Sequence, residues 1–170
     1  MKEIPATQIA NTVLEQLGNG GVFLCTADEE QRNVMTIGWG GVTRFCNELC
    51  FLAPVRASRH TFGILKRNPN FTVSVPLHAM RAELAFAGSK SGRDVNKFEG
   101  HGITAAPAQA VNVPIVAECE LHIECEPVAS AEMPSRQVEA AMLERWYPTR
   151  DMHTYFIGKI VRCYYTDDAR

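Results

Sequence analysis

Ile115-Val116-Ala117-Glu118-Cys119-Glu120-Leu121-His122-Ile123-Glu124-Cys125-Glu126-Pro127 alternates apolar and polar side chains along most of its length. Successive side chains of a strand point to opposite faces. Ala117, Cys119, Leu121, Ile123 and Cys125 therefore share one face, and the glutamates and His122 share the other. The pattern predicts a single strand over 115–127, with its apolar face on the core and its acidic face in water. Carboxylates on alternate positions of one strand run parallel and do not converge on a metal ion. A solvated face is expected, and His122 is given no role.

The same signals recur on both sides of this stretch. Residues 22–26 read as a buried strand released by Gly20-Gly21. Residues 35–42 and 49–53 are expected as two strands joined by a short hairpin. A further strand over 71–75 is ended by Pro76, and 154–165, rich in β-branched and aromatic residues, reads as the closing strand. Helical spacing is sparser. Ile9, Val13 and Leu17 align one face of a helix over 5–17, with Gly18 as its left-handed terminus. Shorter helices are expected over 58–68, 80–87 and 134–146, with a single turn over 94–98. Residues 107–114 form an irregular connector of a length that is usually functional or interfacial. Several strands with few helices predict a mainly β fold, a closed barrel with helices packed outside, in one domain over 1–170.

Composition narrows the function. The chain has 170 residues, 46% hydrophobic and 21% charged, with a formal net charge of −2. There is no basic footprint for nucleic acid, and no apolar run approaches the roughly 18 residues that span a membrane. The N-terminus lacks the apolar core of a secretion signal, so a cytoplasmic location is expected. The six cysteines include no C-x-x-C pair. Most lie in apolar strand-like runs, where Cys acts as a small hydrophobe. Reduced thiols are expected throughout, although Cys46 and Cys50 flank a short turn and could meet across it.

Chemistry concentrates in Arg56-Ala57-Ser58-Arg59-His60-Thr61, at a junction from strand to helix. Ser58 is expected to cap the following helix by accepting an orphan amide hydrogen bond. A helix N-terminus beside a guanidinium matches a phosphate. The plain alternative is a capped helix with solvated arginines. Upstream stands Asn33-Val34-Met35-Thr36-Ile37-Gly38-Trp39, and downstream stands Gly88-Ser89-Lys90-Ser91-Gly92-Arg93-Asp94-Val95-Asn96-Lys97-Phe98, with Phe71-Thr72-Val73-Ser74-Val75-Pro76 between the anion stretch and the latter.

In this order and spacing the four motifs resemble the flavin reductase-like family of FMN-binding split barrels, which includes flavoredoxins. The resemblance runs from about residue 21 to 161. The family usually has Asp where this chain has Asn96, and Lys97 keeps its place. The resemblance implies a split β-barrel of Greek-key type and a homodimer with FMN at or near the subunit interface, the 107–114 connector offering an exchanged arm.

On this resemblance Ser58, Arg59 and Thr61 hold the FMN phosphate, and Arg56 either adds a charge or faces solvent. The 33–39 stretch lines the pyrimidine edge of the ring through its backbone, through Met35 and Ile37, and through the Asn33 and Thr36 side chains. Trp39 either walls the site or is a core aromatic. Ser91 and Lys97 belong to a loop that closes over the flavin or reaches the phosphate. Related reductases carry Gly-Asp-His where this chain has Asp151-Met152-His153, without the glycine. His153 is the catalytic candidate for nicotinamide, although the residues themselves suggest a surface histidine ahead of a strand. Two functions remain open: an NAD(P)H-dependent flavin reductase, or a flavoredoxin-type carrier exchanging electrons with a protein partner. A barrel with a degenerate site, serving only assembly, is a third. No G-x-G-x-x-G follows a strand, so a nicotinamide nucleotide would enter the open flavin cleft.

Overall fold

The computed structural model describes residues 1–166. Its strands are β1 (Lys2–Glu3), β2 (Val22–Ala27), β3 (Arg32–Ile37), β4 (Gly41–Phe45), β5 (Glu48–Arg56), β6 (Phe71–Val75), β7 (Ala105–Ala106), β8 (Ile115–Val116), β9 (Leu121–Glu132) and β10 (His153–Tyr165). Its α-helices are α1 (Ala10–Gly18), α2 (His60–Arg67), α3 (Arg81–Ser89) and α4 (Ala140–Trp146). Ladder order in the main sheet is β3-β2-β6-β9-β10-β5-β4, and β1 extends the β5 edge of β10. The chain leaves β5, crosses through α2 and returns as β6 beside β2, the non-local step of a Greek-key arrangement.

β3 and β4 follow one another in sequence yet stand at opposite ends of this path, unpaired. The barrel is therefore split rather than closed. Residues 35–42, expected as one strand, break at Gly38-Trp39-Gly40. Gly40 (φ 116°) and Gly41 (φ 145°) adopt backbone that side-chain-bearing residues avoid, and a Cβ on Gly40 would lie 2.2 Å from the Leu52 carbonyl oxygen. The turn that opens the barrel is thus written in glycine.

Period-two alternation fills the interior. Leu24 on β2, Phe51 and Ala53 on β5, Phe71, Val73 and Val75 on β6, and Leu121, Ile123 and Cys125 on β9 share one core, joined by Ile9, Val13 and Leu17 of the N-terminal segment and α1. A second core lies outside the sheet, where Phe23, Cys25 and Val34 meet Met80, Leu84 and Ala87 together with Val111, Val113 and Val116.

That second layer overturns the expected solvated face of 115–127. The stretch is two strands, β8 and β9, separated by a turn, and His122 and Glu124 are both fully buried. The connector 107–114 folds over them. The Gln109 and Ala110 amides donate to the two Glu124 carboxylate oxygens at 2.8 and 2.6 Å, Val111 adds a third amide, and the Tyr164 hydroxyl donates at 2.9 Å. Ser74 Oγ bonds His122 Nδ1 at 3.0 Å, and burial lowers the His122 pKa to about 4. A carboxylate can be buried when its oxygens are this well supplied with donors. These bonds hold the connector against the outer face of β9.

Other boundaries moved for local reasons. Gly18 ends α1 within the helix, and the left-handed residues are Gly20 and Gly21. Residues 5–17 split into a 3-10 turn, Ala6–Gln8, and α1. Residues 134–146 likewise divide into a 3-10 turn, Ser135–Gln137, and α4, which Glu139 caps through the Ala141 and Met142 amides. Residues 94–98 make turns, not a helix. Cys46 and Asn47 form the tight β4–β5 turn, both with positive φ, while Cys50 pairs across the ladder with Thr43. They do not meet, and all six cysteines are free thiols.

Candidate functional site

Two neighbouring cavities open at the split of the barrel. The first, of about 130 Å³, lies between the start of α2 and the loop after α3, and Asn33, Ser58, Arg59, Thr61, Ser91 and Lys97 are among its lining residues. The second, of about 210 Å³, is lined by Met35 through Trp39 with Pro54, Arg56, Arg59, Trp146 and His153. Met35 and Arg59 line both. Every residue that the sequence singled out thus borders one continuous cleft.

The first cavity is cationic. Arg59, Lys90, Arg93 and Lys97 line it, and among the described residues no carboxylate does. Lys97, expected in a loop that reaches the flavin or its phosphate, is buried, with its ammonium donating to the Ala87 carbonyl at 2.7 Å. Burial, then the Arg59 charge, pulls its pKa down to about 8. His60 is lowered too, by burial and then by Arg93 and Lys97. Burial leads in both shifts and neighbouring positive charge adds to it, and a bound anion would relieve the second. Thr61 is buried and accepts from Asn33 Nδ2 at 2.8 Å, leaving its own hydroxyl proton to donate. The Phe62 amide already donates to the Arg59 carbonyl at 3.0 Å, so the orphan amides at the start of α2 are those of His60 and Thr61. Gly92 must be glycine here, because a Cβ would come within 2.2 Å of Asn33 Oδ1.

Three expected side-chain roles change. Ser58 is not the N-cap, for α2 begins at His60 with Arg59 in the capping position and no side-chain cap. The Ser58 hydroxyl donates to Asp151 at 2.6 Å and its amide to the same carboxylate at 3.3 Å. Thr36 borders the second cavity, but its hydroxyl is spent on the Leu84 carbonyl at 2.6 Å, tying β3 to α3. Arg56 neither meets the first cavity nor lies free. It donates to the Trp146 carbonyl at 2.8 Å and lies 5.0 Å from the Tyr147 ring.

The second cavity is aromatic. Trp39 stands edge-on to Trp146, with ring centres 5.3 Å apart, and 5.1 Å from His153. Trp39 is 40% exposed, so it walls the cleft rather than filling the core. His153, expected at the surface, is buried opposite Arg56 in the β5–β10 ladder and bonds the Tyr147 hydroxyl at 2.7 Å. Burial, then Arg56, lowers its pKa to about 4. Trp146, Tyr147, Asp151 and Arg93 escaped the sequence reading. Arg93, which donates to the Ser58 carbonyl at 3.1 Å, stood inside a quoted motif. The α4 residues gave no signal, since only the fold brings them over β5.

A planar heteroaromatic ring fits the aromatic cavity and a phosphate fits the cationic one, so the donor set suits FMN. Comparison with known proteins agrees in kind. The flavin reductase-like domain model matches residues 17–170. A protein of Archaeoglobus fulgidus with no assigned role is 30% identical over 155 residues, covering 91% of this chain and 77% of that one. Flavoredoxin from Methanosarcina acetivorans superposes with a TM-score of 0.68 at 23% identity, over 86% of this chain and 69% of that chain. An FMN-binding protein of Thermus thermophilus with bound p-hydroxybenzaldehyde gives 0.68 at 19%, over 87% and 72%. The chain is an FMN-type split barrel in architecture, and it belongs to the flavin reductase-like domain family.

Proposed function

We propose that this cleft binds FMN and that the protein is an FMN-dependent oxidoreductase taking electrons from NAD(P)H. One observation carries the reading: an aromatic cavity and a cation-lined cavity adjoin, sharing Met35 and Arg59. Bound there, the flavin would supply the electron-accepting ring; the chain positions and polarises it. Arg59, Thr61, Lys97 and the α2 amides take the phosphate. The β3 backbone from Asn33 to Ile37 lies along the ring edge, where amide donors stabilise negative charge on reduction. Ser91 and Gly92 bring the loop over the ligand.

A homodimer belongs to the same reading. Trp39, Met142 and Trp146 leave an apolar rim beside the cleft that a second subunit or a redox protein would cover. Six free thiols suit a reducing compartment such as the cytoplasm. Electron carriage in the manner of a flavoredoxin is the second reading. It is favoured by Asp151, which is committed to Ser58 and so is not available beside His153 as in Gly-Asp-His. Anaerobic mixing of FMN-loaded protein with NADH or NADPH separates them. Rapid bleaching of the flavin band is expected; bleaching no faster than for free FMN would leave the carrier.

The Lys97 ammonium gives a pH signature. Its pKa is about 8 in the free protein, and a dianionic phosphate would raise it. Binding then takes up a proton, so FMN affinity should fall as pH rises through about 8. Riboflavin, without the phosphate, should show no such slope. Lys97→Met keeps the buried stem and should abolish the slope. Equal slopes for both flavins would remove Lys97 from the phosphate site.

A further inference from the structure

We propose that Tyr147 locks His153 as the neutral tautomer protonated at Nε2, making it a fixed hydrogen-bond donor for a carbonyl or carboxamide oxygen on the ring that enters the aromatic cavity. The inference deepens the reading above and rests on it only for the identity of the ligand.

Donor accounting fixes the tautomer. The Tyr147 side chain is buried, and its hydroxyl bonds only His153 Nδ1 among the hydrogen bonds of the described residues, at 2.7 Å. Were Nδ1 the donor, the phenol proton would be left buried without an acceptor, which is costly. The phenol therefore donates, Nδ1 accepts, and the imidazole proton sits on Nε2. Among the described residues Nε2 bonds no protein group, yet it is not among their sealed, unsatisfied atoms, which are Thr26 Oγ1 and His122 Nε2. His153 itself lines the aromatic cavity. Its free nitrogen is thus a donor with no protein partner at the site where a substrate would lie.

The surroundings hold this state. Trp39 packs against the imidazole, with ring centres 5.1 Å apart, and Tyr147 stands edge-on at 5.5 Å. Arg56 lies over the Tyr147 ring, binding the Trp146 carbonyl and so fixing the end of α4. The charges facing His153 are Arg56, Arg59 and Asp151, of which the two guanidiniums oppose protonation. A neutral donor of fixed direction suits an uncharged oxygen on a flat ring, and attracts a carboxylate less than an imidazolium would. Tyr147 is in this account a positioning residue, and His153 the group that touches substrate.

The lock is read directly by long-range ¹H–¹⁵N correlation on protein labelled at histidine, with His153→Gln to assign the signal. No flavin or nicotinamide is needed. The expected wild-type pattern is a protonated Nε2 and an acceptor Nδ1, unchanged on acidification through the ordinary histidine range. Tyr147→Phe keeps the ring contacts and should give a mixed tautomer. In the FMN-loaded protein, Tyr147→Phe should raise KM for NADH about three- to tenfold, the loss of one oriented hydrogen bond, with kcat little changed. A wild-type His153 protonated at Nδ1, or titrating like free histidine, overturns the lock. An intact lock with unaltered KM in both Tyr147→Phe and His153→Gln overturns the substrate contact. Failure of the protein to take up FMN would sink the function proposed above while leaving the tautomer result standing.

Discussion

Arg59→Ala should weaken FMN about tenfold to a hundredfold while leaving riboflavin affinity nearly unchanged, because one hydrogen bond to a charged group contributes roughly 1.5–3 kcal/mol. Arg59 is exposed, lines both cavities and is paired with no acid among the described residues. Its loss therefore costs the ligand and not the fold. Arg59→Lys should recover only part of the affinity, since an ammonium cannot make the planar, paired contact. Titrations of wild type and both variants with the two flavins decide the matter. Equal loss for both ligands would show that Arg59 shapes the ring cavity instead.

The largest effect on stability is expected at Glu124, far from that chemistry. Glu124→Ala strips the acceptor at once from the buried Val111 amide and Tyr164 phenol and from the part-buried Gln109 and Ala110 amides. Each buried donor left unpaired costs about 1–3 kcal/mol, and such costs are not additive, so a loss of at least about 3 kcal/mol is expected. For a chain of this size that lowers Tm by roughly 6–12 °C. Glu124→Gln, which keeps one acceptor oxygen, should fall between. Thermal and urea unfolding measure both. A loss under about 1 kcal/mol would mean that Val111 and Val113, not the carboxylate, hold the connector down.

Glu124 also shows where sequence stops being legible. The alternation in 115–127 placed the apolar residues of β9 correctly on the barrel core. It could not reveal that the connector just upstream folds back to cover the other face, because period two says which side chains share a face and nothing of what lies upon it. The surface reading of His153 failed for the same reason: it looked solvated ahead of its strand, and Trp39 and the end of α4 cover it. Trp146 and Tyr147 were invisible as site residues because α4 reaches the cleft only through the β9–β10 hairpin. The strand-to-helix junction at 56–61 was legible because its parts are local. Arg59 and Thr61 stand at the start of α2, while Ser58 turns to Asp151 and Arg56 to the end of α4. The strand break at Gly40-Gly41 was missed by the reading of 35–42 as one strand, although paired glycines are where a chain can turn through positive φ.

Both tryptophans of the chain, Trp39 and Trp146, line the aromatic cavity, so tryptophan emission reports on that cavity alone. Titration of ligand-free protein with FMN and with riboflavin, followed by this emission, tests the paired-cavity account most directly. Both flavins should quench the emission to the same final level, since both place the same ring between the same walls. FMN should reach that level at a concentration at least about tenfold lower, from its phosphate contacts alone. Quenching by both flavins at equal concentration, or FMN binding that leaves the tryptophans bright, would contradict it.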